Sequence, residues 1–499
     1  MTDHDAPQAG EGGLPAGDAG VEAAGLAAWL NTPPGESAVG GAIAPRLGQV
    51  SWAMLEWARN PYILLVWIYL FSPYFVKHVV GDPVVGQGYA GLIQAYSGIG
   101  IAILAPFLGA IADRGGRRKP WLALYVVILI AAMLPMWFAM PHSSMAGIVF
   151  VGALIAAANI SYEFSAVFHN SLLPTIASQR GIAGLSGLGL SLGNAAGIIL
   201  LLFMLIAFSL PGNVGWSFIP AHPLFGISQA LHEPERLSGP VCAAWLAVFC
   251  LPLFFFTPDQ PSANLPLFTA MRQGVQSVIA TIKSLRHYRN VGAYLLARLF
   301  FNDGMTAVLV FGGIYASTTF HWGPIPMLVY GIELSIFAVF GGFFGGWIDN
   351  KFGSKNAIFI SVGGTTLVGL LVLTMGPDRI LWFIPYDTTL PHVWSGPFFN
   401  TWPEIIFLLM VNFIAVLITA GYANSRTMLA RIAPPEKMAE FFGLYSLSGQ
   451  STSFLATGFI GWLTLYAHNQ RIGLLGETLF LSIGLVLMLF VKEERTTLA

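Results

Sequence analysis

Long apolar segments separated by short polar loops fill the chain from residue 62 onward. Each apolar run has at least about 17 residues, the length that an α-helix needs to cross the hydrocarbon core of a bilayer. The pattern therefore predicts an all-α polytopic membrane protein with twelve transmembrane helices in two pseudo-symmetric bundles of six. The predicted spans are 62–80, 88–111, 120–140, 146–170, 182–209, 240–257, 291–319, 325–348, 356–376, 404–430, 441–467 and 472–491.

A polar stretch at 258–290 separates the first six predicted spans from the last six. We therefore expect an N-terminal bundle at 49–257, a cytoplasmic linker at 258–290 and a C-terminal bundle at 291–499. Residues 1–48 are rich in Gly, Ala and Pro, and they lack the basic start and apolar stretch of a secretory signal. We expect them to form a disordered cytoplasmic tail with no anchoring role.

Two glycine-then-basic turns, 237 residues apart, indicate that the bundles are copies of one architecture. In such a turn a glycine allows two helices to approach closely, and basic side chains lie at anionic lipid headgroups. We expect a gating role at the cytoplasmic face, less so in the second copy, which has Asn where the first has Asp. Aligned without a gap, the motif residues are Gly109, Asp113, Arg114, Gly116 and Arg117 in the first turn, and Gly346 and Asn350 in the second.

The composition supports a membrane protein and excludes several other classes. Hydrophobic residues make up 55% of the chain and charged residues 9%, whereas a soluble domain is roughly 25% charged. The net charge of -1 argues against a nucleic-acid binder, which would be strongly basic. Cys242 and Cys250 are separated by about 12 Å along a helix, too far for a disulfide. We expect no cofactor and no cysteine metal site.

The lysines and arginines predict the orientation. If the amino terminus lies in the cytoplasm, 18 of them fall on the cytoplasmic side and 4 on the opposite side, with Arg298 inside a helix. Because cytoplasmic loops carry an excess of Lys and Arg, this bias favours both termini in the cytoplasm. It also supports the helix count, since one missed helix would mix the two sets of loops.

Several segments resemble one branch of a known transporter superfamily. Glu56-Trp57-Ala58-Arg59-Asn60-Pro61-Tyr62 precedes the first predicted span, and Val167-Phe168-His169-Asn170 closes the fourth. The longest match is Ser425-Arg426 to Pro434, running into Glu440-Phe441-Phe442-Gly443-Leu444-Tyr445. Over about 50–491 the chain resembles the branch of the major facilitator superfamily that includes the vacuolar amino-acid effluxers of autophagy and many bacterial relatives. Bacterial members usually have Asp, Ser and Tyr at the positions of Glu56, Arg59 and His169, so the resemblance does not specify the substrate.

The resemblance implies a secondary transporter with a small-molecule substrate site between two halves that rock about it. It favours amino acids as substrates, protons as the coupling ion and a role for Arg426 in gating. It also implies a monomer in the inner membrane of a bacterium. A peptide or sugar transporter of the same fold stays an alternative.

Ionisable residues inside predicted spans supply the candidate site, because such groups are costly in a bilayer and usually face a cavity. Three acids and one base leave the cavity at about -2 if all are ionised, and low dielectric favours a protonated carboxyl group, as a proton carrier needs. Arg298 and Asp303 are about 140° apart around a helix, so each could meet a different end of a zwitterion. The alternative is that Arg298 pairs with Glu163 or Glu333 and only joins the halves. The candidates for substrate or proton binding are Asp303, Glu163, Arg298, Glu333, Asn302 and His169.

Three other functions are alternatives. Soft methionine sulfur suits Cu(I), which would make copper the substrate, although methionine is also a common apolar filler. An intramembrane enzyme would need a nucleophile–base or metal constellation, and no His-Glu-x-x-His motif occurs. A receptor without transport activity would leave the cavity charges without a purpose. The methionine cluster consists of Met133, Met136, Met140 and Met145, with His142.

Overall fold

Almost the whole described chain is helical. The structure, a computed structural model, describes residues 37, 42–114, 117–178, 182–259, 269, 272, 276, 279, 283, 285–433, 441, 444–445, 449 and 454–493, of which 105–107, 109–114, 182–184, 187 and 430 are described by their backbone alone. The helices are α1 (Arg46–Val79), α2 (Pro83–Arg114), α3 (Lys119–Phe138), α4 (Met145–Ile176), α5 (Ile182–Met204), α6 (Glu233–Phe256), α7 (Arg289–Thr319), α8 (Pro324–Phe352), α9 (Ser354–Val372), α10 (Trp402–Ile432), α11 (Phe454–Ala467) and α12 (Gln470–Leu489).

Ten of these helices are long and apolar enough to cross a membrane, which confirms a polytopic membrane protein. The remaining two, α2 and α11, overlap the predicted spans 88–111 and 441–467, and α11 covers only the second half of its span. The exact count of twelve spans stays a prediction. The strands of the described residues form a hairpin, Arg379–Ile380 and Ile384–Pro385, in the connection between α9 and α10.

The first helix begins much earlier than the predicted span at 62–80. Helix α1 starts at Arg46, inside the segment expected to be a tail, and the rest of that tail lies mostly outside the described residues. Charges at 56 and 59 interrupt the apolar run and hide the helix from a search for apolar length. They are tolerated because Glu56 and Arg59 pair with each other.

Helix α1 is not a regular α-helix along its length. It contains π-helical turns at Tyr62–Tyr69 and Phe75–Val79, and each closely follows a proline, Pro61 and Pro73. Proline lacks the N–H that the preceding turn would bond, so the hydrogen-bond ladder has to shift there. A third π-helical turn, Leu205–Ser209, directly follows α5. Such turns are frequent at functional sites.

The two bundles share one arrangement at the end that carries the basic turns, which we call the inner end. In each half a carboxylate after the last helix accepts hydrogen bonds from two backbone N–H groups at the start of the third helix. In the first half these join Asp259 to Arg118 and Lys119, at 2.9 and 3.2 Å; in the second they join Glu493 to Ser354 and Lys355, at 3.0 and 3.1 Å. This repeated contact supports the predicted duplication.

The centre of the molecule is occupied by the first helix of each half. In α1 and α7, 67% and 61% of the most apolar window is buried, against 28–50% in the other eight candidate spans. Large side chains such as Trp52, Tyr62, Tyr294 and Phe311 are fully buried on these two helices. Helices α1 and α7 are therefore the elements that bring polar side chains to the interior.

Candidate functional site

An ion pair on α1 meets a histidine of α4 in the first half. The Arg59 guanidinium donates to both carboxylate oxygens of Glu56, at 2.6 and 3.2 Å. Glu56 Oε1 lies 3.3 Å from Nδ1 of His169, whose side chain is fully buried, while that of Glu56 keeps 17% exposure. The structure therefore joins one predicted candidate, His169, to two residues that were noted only as departures from the resembled pattern.

The orientation of the His169 ring is determined by Trp52. The histidine Nε2 lies 2.9 Å from the Trp52 carbonyl oxygen, and the Trp52 indole N–H donates to the His169 carbonyl at 2.8 Å. The two rings stack with centroids 4.3 Å apart. Because a carbonyl oxygen only accepts, Nε2 carries the hydrogen of that bond. Nδ1 is thereby left facing the carboxylate of Glu56.

Glycines of α5 allow this part of α1 to pack closely. A Cβ added at Gly189 would lie 3.4 Å from Glu56 Cγ, and one added at Gly193 would lie 3.1 Å from Asn60 Cβ. Farther along, the Asn60 side chain donates to Asn194 of α5 at 3.4 Å. The glycine spacing thus produces a helix contact beside the ion pair.

Glu163 of α4 lies near this cluster but outside its hydrogen bonds. It is half-buried and within electrostatic reach of Arg59. Arg59 also lies over the Tyr162 ring, 4.8 Å from its centroid, and 3.4 Å from Ser165 Oγ. No hydrogen bond joins Glu163 to any residue that the structure describes. Within the described part of the molecule its carboxylate is therefore available to a ligand.

A second polar group lies in the other half, around Arg298 of α7. Arg298 donates to the Tyr445 carbonyl at 2.7 Å and to Asn302 Oδ1 at 3.4 Å, and its guanidinium carbon lies 3.3 Å from the Tyr445 ring centroid. The Tyr445 and Ser425 hydroxyl groups are 2.5 Å apart, and the Tyr294 hydroxyl donates to the Ser425 carbonyl. Ser425 and Tyr445, the ends of the longest matching segment, therefore meet in space and position Arg298.

The other two predicted acids in this half have separate environments. Asp303 is completely buried, next to Gly304, where a Cβ would come within 2.8 Å of Leu481 on α12. Glu333 accepts a hydrogen bond from Asn412 of α10 at 2.6 Å. The contacts described for Arg298 lie within its own half, and neither Glu163 nor Glu333 is among them.

An ion-pair network lies at the inner end of the second half. Its acid lies one residue before position 350, the position that the gap-free alignment gives. Asp349, not Asn350, pairs with Arg431 at 3.0 Å and accepts from the Ser354 hydroxyl at 2.6 Å. Arg431 also pairs with Glu493 at 2.8 Å. Burial opposes ionisation of Glu493, but Arg431 and the backbone N–H groups of α9 together lower its pKa. The acid of the second turn is present, four residues after Gly345 rather than Gly346.

The remaining gating candidates contribute less to the described contacts. A Cβ at Gly345 would lie 2.9 Å from Ala420 of α10, so this glycine carries the close approach, while Gly346 is buried and Asn350 exposed. Arg117 and Arg426 are exposed and bond to no described residue. The side chains of Asp113 and Arg114, and all of Gly116, lie outside the described residues; Gly109 is described by its backbone in α2.

At the opposite, outer end, the two halves are joined by hydrogen bonds. The Lys77 ammonium of α1 donates to the carbonyls of Ser317 and Trp322, at 3.1 and 2.9 Å. The Gln87 side chain of α2 donates to Thr464 of α11 at 2.9 Å. These contacts close the outer end across the two bundles.

Several polar residues of interest were missed from the sequence. Glu477 lies within the predicted span 472–491 and is buried, so the same rule that selected the other intramembrane acids applies to it. Glu56 and Arg59 were placed before the first span, because the boundary was wrong. Lys77 was counted only as a loop charge, and no signal in the sequence indicates its carbonyl partners.

The described structure does not support copper as the substrate. Met133 and Met136 are fully buried in the core, whereas Met140 and Met145 are more than half exposed. The four sulfur atoms therefore lie in different environments and not around one site. Cys242 and Cys250 are buried free thiols on α6.

Comparison with known proteins agrees with this architecture. The fold matches solved transporters over 89–91% of the chain. One of them, a D-xylose-proton symporter, is 14% identical and superposes with a TM-score of 0.61. The match covers 90% of this chain and 98% of the symporter. The fold is that of major facilitator transporters. The family described as "Vacuole effluxer Atg22 like" matches residues 78–498, and the chain belongs to this family.

Two relatives illustrate the family's range. An uncharacterized MFS-type transporter, YxiO of Bacillus subtilis, is 21% identical over 90% of this chain and 95% of its own length. Autophagy-related protein 22 of Yarrowia lipolytica is 22% identical over 68% of this chain and 56% of its own length. The chain thus spans nearly all of the bacterial relative and about half of the fungal one. The protein is an integral membrane transporter of the MFS type, and its relatives are transporters rather than enzymes.

Proposed function

We propose that this protein is a proton-coupled secondary transporter of a small zwitterionic solute, an amino acid or a similar compound. It works by alternating access between the bundles 49–257 and 291–499, joined by the linker 258–290. The proposal includes a monomer in a bacterial inner membrane, with both termini in the cytoplasm. Cytosolic accessibility of a tag after residue 499 would check the location of the carboxyl terminus. The observation that carries it is the contact between Glu56 and His169.

This contact binds a proton. Since Nε2 of His169 donates to the Trp52 carbonyl, Nδ1 of a neutral ring would direct a lone pair at Glu56 Oε1, 3.3 Å away. Opposed lone pairs repel, so the arrangement favours a proton on either the imidazole or the carboxyl group. Arg59 neutralises the carboxylate when the proton leaves. Histidine and carboxyl side chains are typical members of the proton relays of transporters.

Charged groups of opposite sign in the two halves suit a zwitterion. Glu163 is half-buried and has no hydrogen-bond partner among the described residues, so it can receive an ammonium group. Arg298 is oriented by Tyr445 and Asn302, and a guanidinium binds a carboxylate strongly. Asp303 provides a second buried carboxyl group for proton binding in the second half. Glu333, held by Asn412, takes the role of a supporting residue.

The end contacts suit alternating access. The outer end is joined by Lys77 and Gln87 in this structure, and the Asp349–Arg431–Glu493 network stabilises the inner end of the second bundle. Rocking of one bundle against the other has to break the outer contacts while each bundle stays intact. The proposed cycle therefore opens the site to the inner side in the conformation described here.

Uptake into liposomes tests the substrate class. Purified protein is reconstituted, an inward proton gradient is imposed, and accumulation of labelled amino acids, sugars and dipeptides is followed. We expect amino acids to accumulate, and the uptake to collapse when a protonophore removes the gradient. An Arg298→Ala variant should lose affinity for amino acids by at least about tenfold, because a charge-assisted bond to the carboxylate is lost.

Arg286→Ala, in the segment between the two bundles, is the matched control, since the side chain of this exposed arginine bonds to no described residue. It should transport as the wild type does. Accumulation of sugars or dipeptides without amino acids would contradict the proposed substrate class, and gradient-independent accumulation would contradict proton coupling.

A further inference from the structure

A cavity lies inside the second bundle and contains none of the residues assigned above. It is lined by side chains of helices α7, α8, α9, α10 and α12, with Tyr69 of α1 completing the wall. The partly exposed members of its lining, Val308, Leu309, Gly312 and Leu334, mark the open side on α7 and α8. A concave site with mainly apolar walls and a few polar groups is typical of a small-molecule site.

One carboxyl group projects into these apolar walls. Glu477 of α12 has 6% of its surface exposed and lines the cavity. No hydrogen bond joins it to any described residue. An ionised carboxylate without a partner is costly in apolar surroundings, so the empty cavity favours the protonated acid.

The groups that face Glu477 offer no permanent counter-charge. The lining residues on α9 and α10 are apolar, and the titratable ones on α1, α7 and α8 are Tyr69, Tyr315 and Tyr330. Arg471, six residues earlier on α12, lies near Tyr315 and donates to the Met375 carbonyl at 2.8 Å. A cation that enters the cavity would therefore be the direct partner of the Glu477 carboxylate.

The tyrosine rings favour an organic cation over a metal ion. Tyr69 and Tyr330 meet edge to face with ring centroids 5.7 Å apart, and aromatic faces attract ammonium groups. A hard metal cation needs about six oxygen ligands, whereas one carboxyl group and three phenol groups are the side-chain oxygens of the lining. The apolar remainder suits an alkyl or aryl group.

We propose that this cavity binds a hydrophobic organic ammonium ion through Glu477. In the empty state Glu477 holds a proton. When the ammonium ion enters, the carboxyl O–H bond breaks, the proton passes to water, and the carboxylate pairs with the ammonium group. One cation enters and one proton leaves, so the charge of the cavity is unchanged.

Calorimetric titration of the protein in lipid nanodiscs tests this site, with protein-free nanodiscs subtracted. The probes are 2-phenylethylammonium and its neutral analogue 2-phenylethanol. We expect the ammonium ion to bind and the protein to release about one proton. The number of protons released is obtained from the way the heat of binding depends on the ionisation enthalpy of the buffer. A Glu477→Gln variant should bind the ammonium ion at least about tenfold more weakly, because a charge-assisted bond is lost, and it should release no proton.

Two glycine variants test the location without touching the carboxyl group. Gly369 lines the cavity and has open space where a Cβ would stand, so Gly369→Leu should fill the cavity and weaken binding. Gly342 has the same open space outside the lining, and Gly342→Leu should bind as the wild type does. Unchanged binding in Glu477→Gln, or binding by the wild type without proton release, would overturn the proposal. Neither result depends on whether amino acids are transported.

Discussion

At the scale of single residues, the sequence predicts which charges enter the membrane better than it predicts their partners. Asp303, Glu163, Arg298 and Glu333 were selected because each interrupts an apolar run, and the structure places all four within helices. Their neighbours come from helices distant in sequence, as Tyr445 does for Arg298. No periodicity encodes such a contact, so the partners could not be predicted.

The first prediction concerns Asp303, which is completely buried on α7. If it binds the coupling proton, Asp303→Asn should abolish accumulation against a gradient while substrate exchange continues, because exchange does not require release of the proton. Counterflow and gradient-driven uptake in the same liposomes measure the two activities. Asp387→Asn, in an exposed loop, is the control. Normal accumulation by Asp303→Asn would show that the carboxyl group is structural.

At the scale of helices, the sequence predicts where spans lie because bilayer thickness sets their length. It fails where polar residues are paired inside a helix. Glu56 and Arg59 concealed the first part of α1, and the extra residue in the second basic turn moved the acid from position 350 to 349. Both errors have one cause: neither the length of an apolar run nor a gap-free alignment contains information on which charged side chains pair with each other.

The ion-pair network at the inner end of the second bundle should stabilise that bundle. Replacing Arg431 by Ala removes its bonds to Asp349 and Glu493, and we expect a loss of about 1–2 kcal/mol, seen as a fall of about 2–4 °C in the melting temperature per kcal/mol. The folded-state pKa of Glu493 lies below its usual value. Its share of the stability is thus present above pH about 4.3 and disappears as the pH falls through the folded-state pKa.

Thermal unfolding at pH 7 and at lower pH checks this prediction. The difference between wild type and Arg431→Ala should shrink on acidification, and Arg426→Ala should melt as the wild type does at both values. A difference that is absent at pH 7, or that grows as the pH falls, would contradict the assigned role of the network.

At the scale of the whole molecule, duplication explains both the symmetry and its limits. The Asp259 and Glu493 contacts repeat between the halves, and α1 and α7 are the most buried spans in each. The polar clusters are not copies: the first half has Glu56, Arg59 and His169, and the second has Arg298 and Asp303. Repetition thus supplies the framework, and in the proposed function Glu163 of one half and Arg298 of the other supply opposite charges for one small solute.

The central claim is that transport moves protons through the Glu56–His169 contact. The most direct measurement is substrate-dependent proton movement in proteoliposomes that contain a pH-sensitive dye, compared between wild type and His169→Gln. Glutamine keeps a donor for the Trp52 carbonyl but has no titrating group. We expect the variant to exchange substrate without moving protons, and His222→Gln, in an exposed loop, to behave as the wild type. Proton movement by His169→Gln equal to that of the wild type would contradict the account.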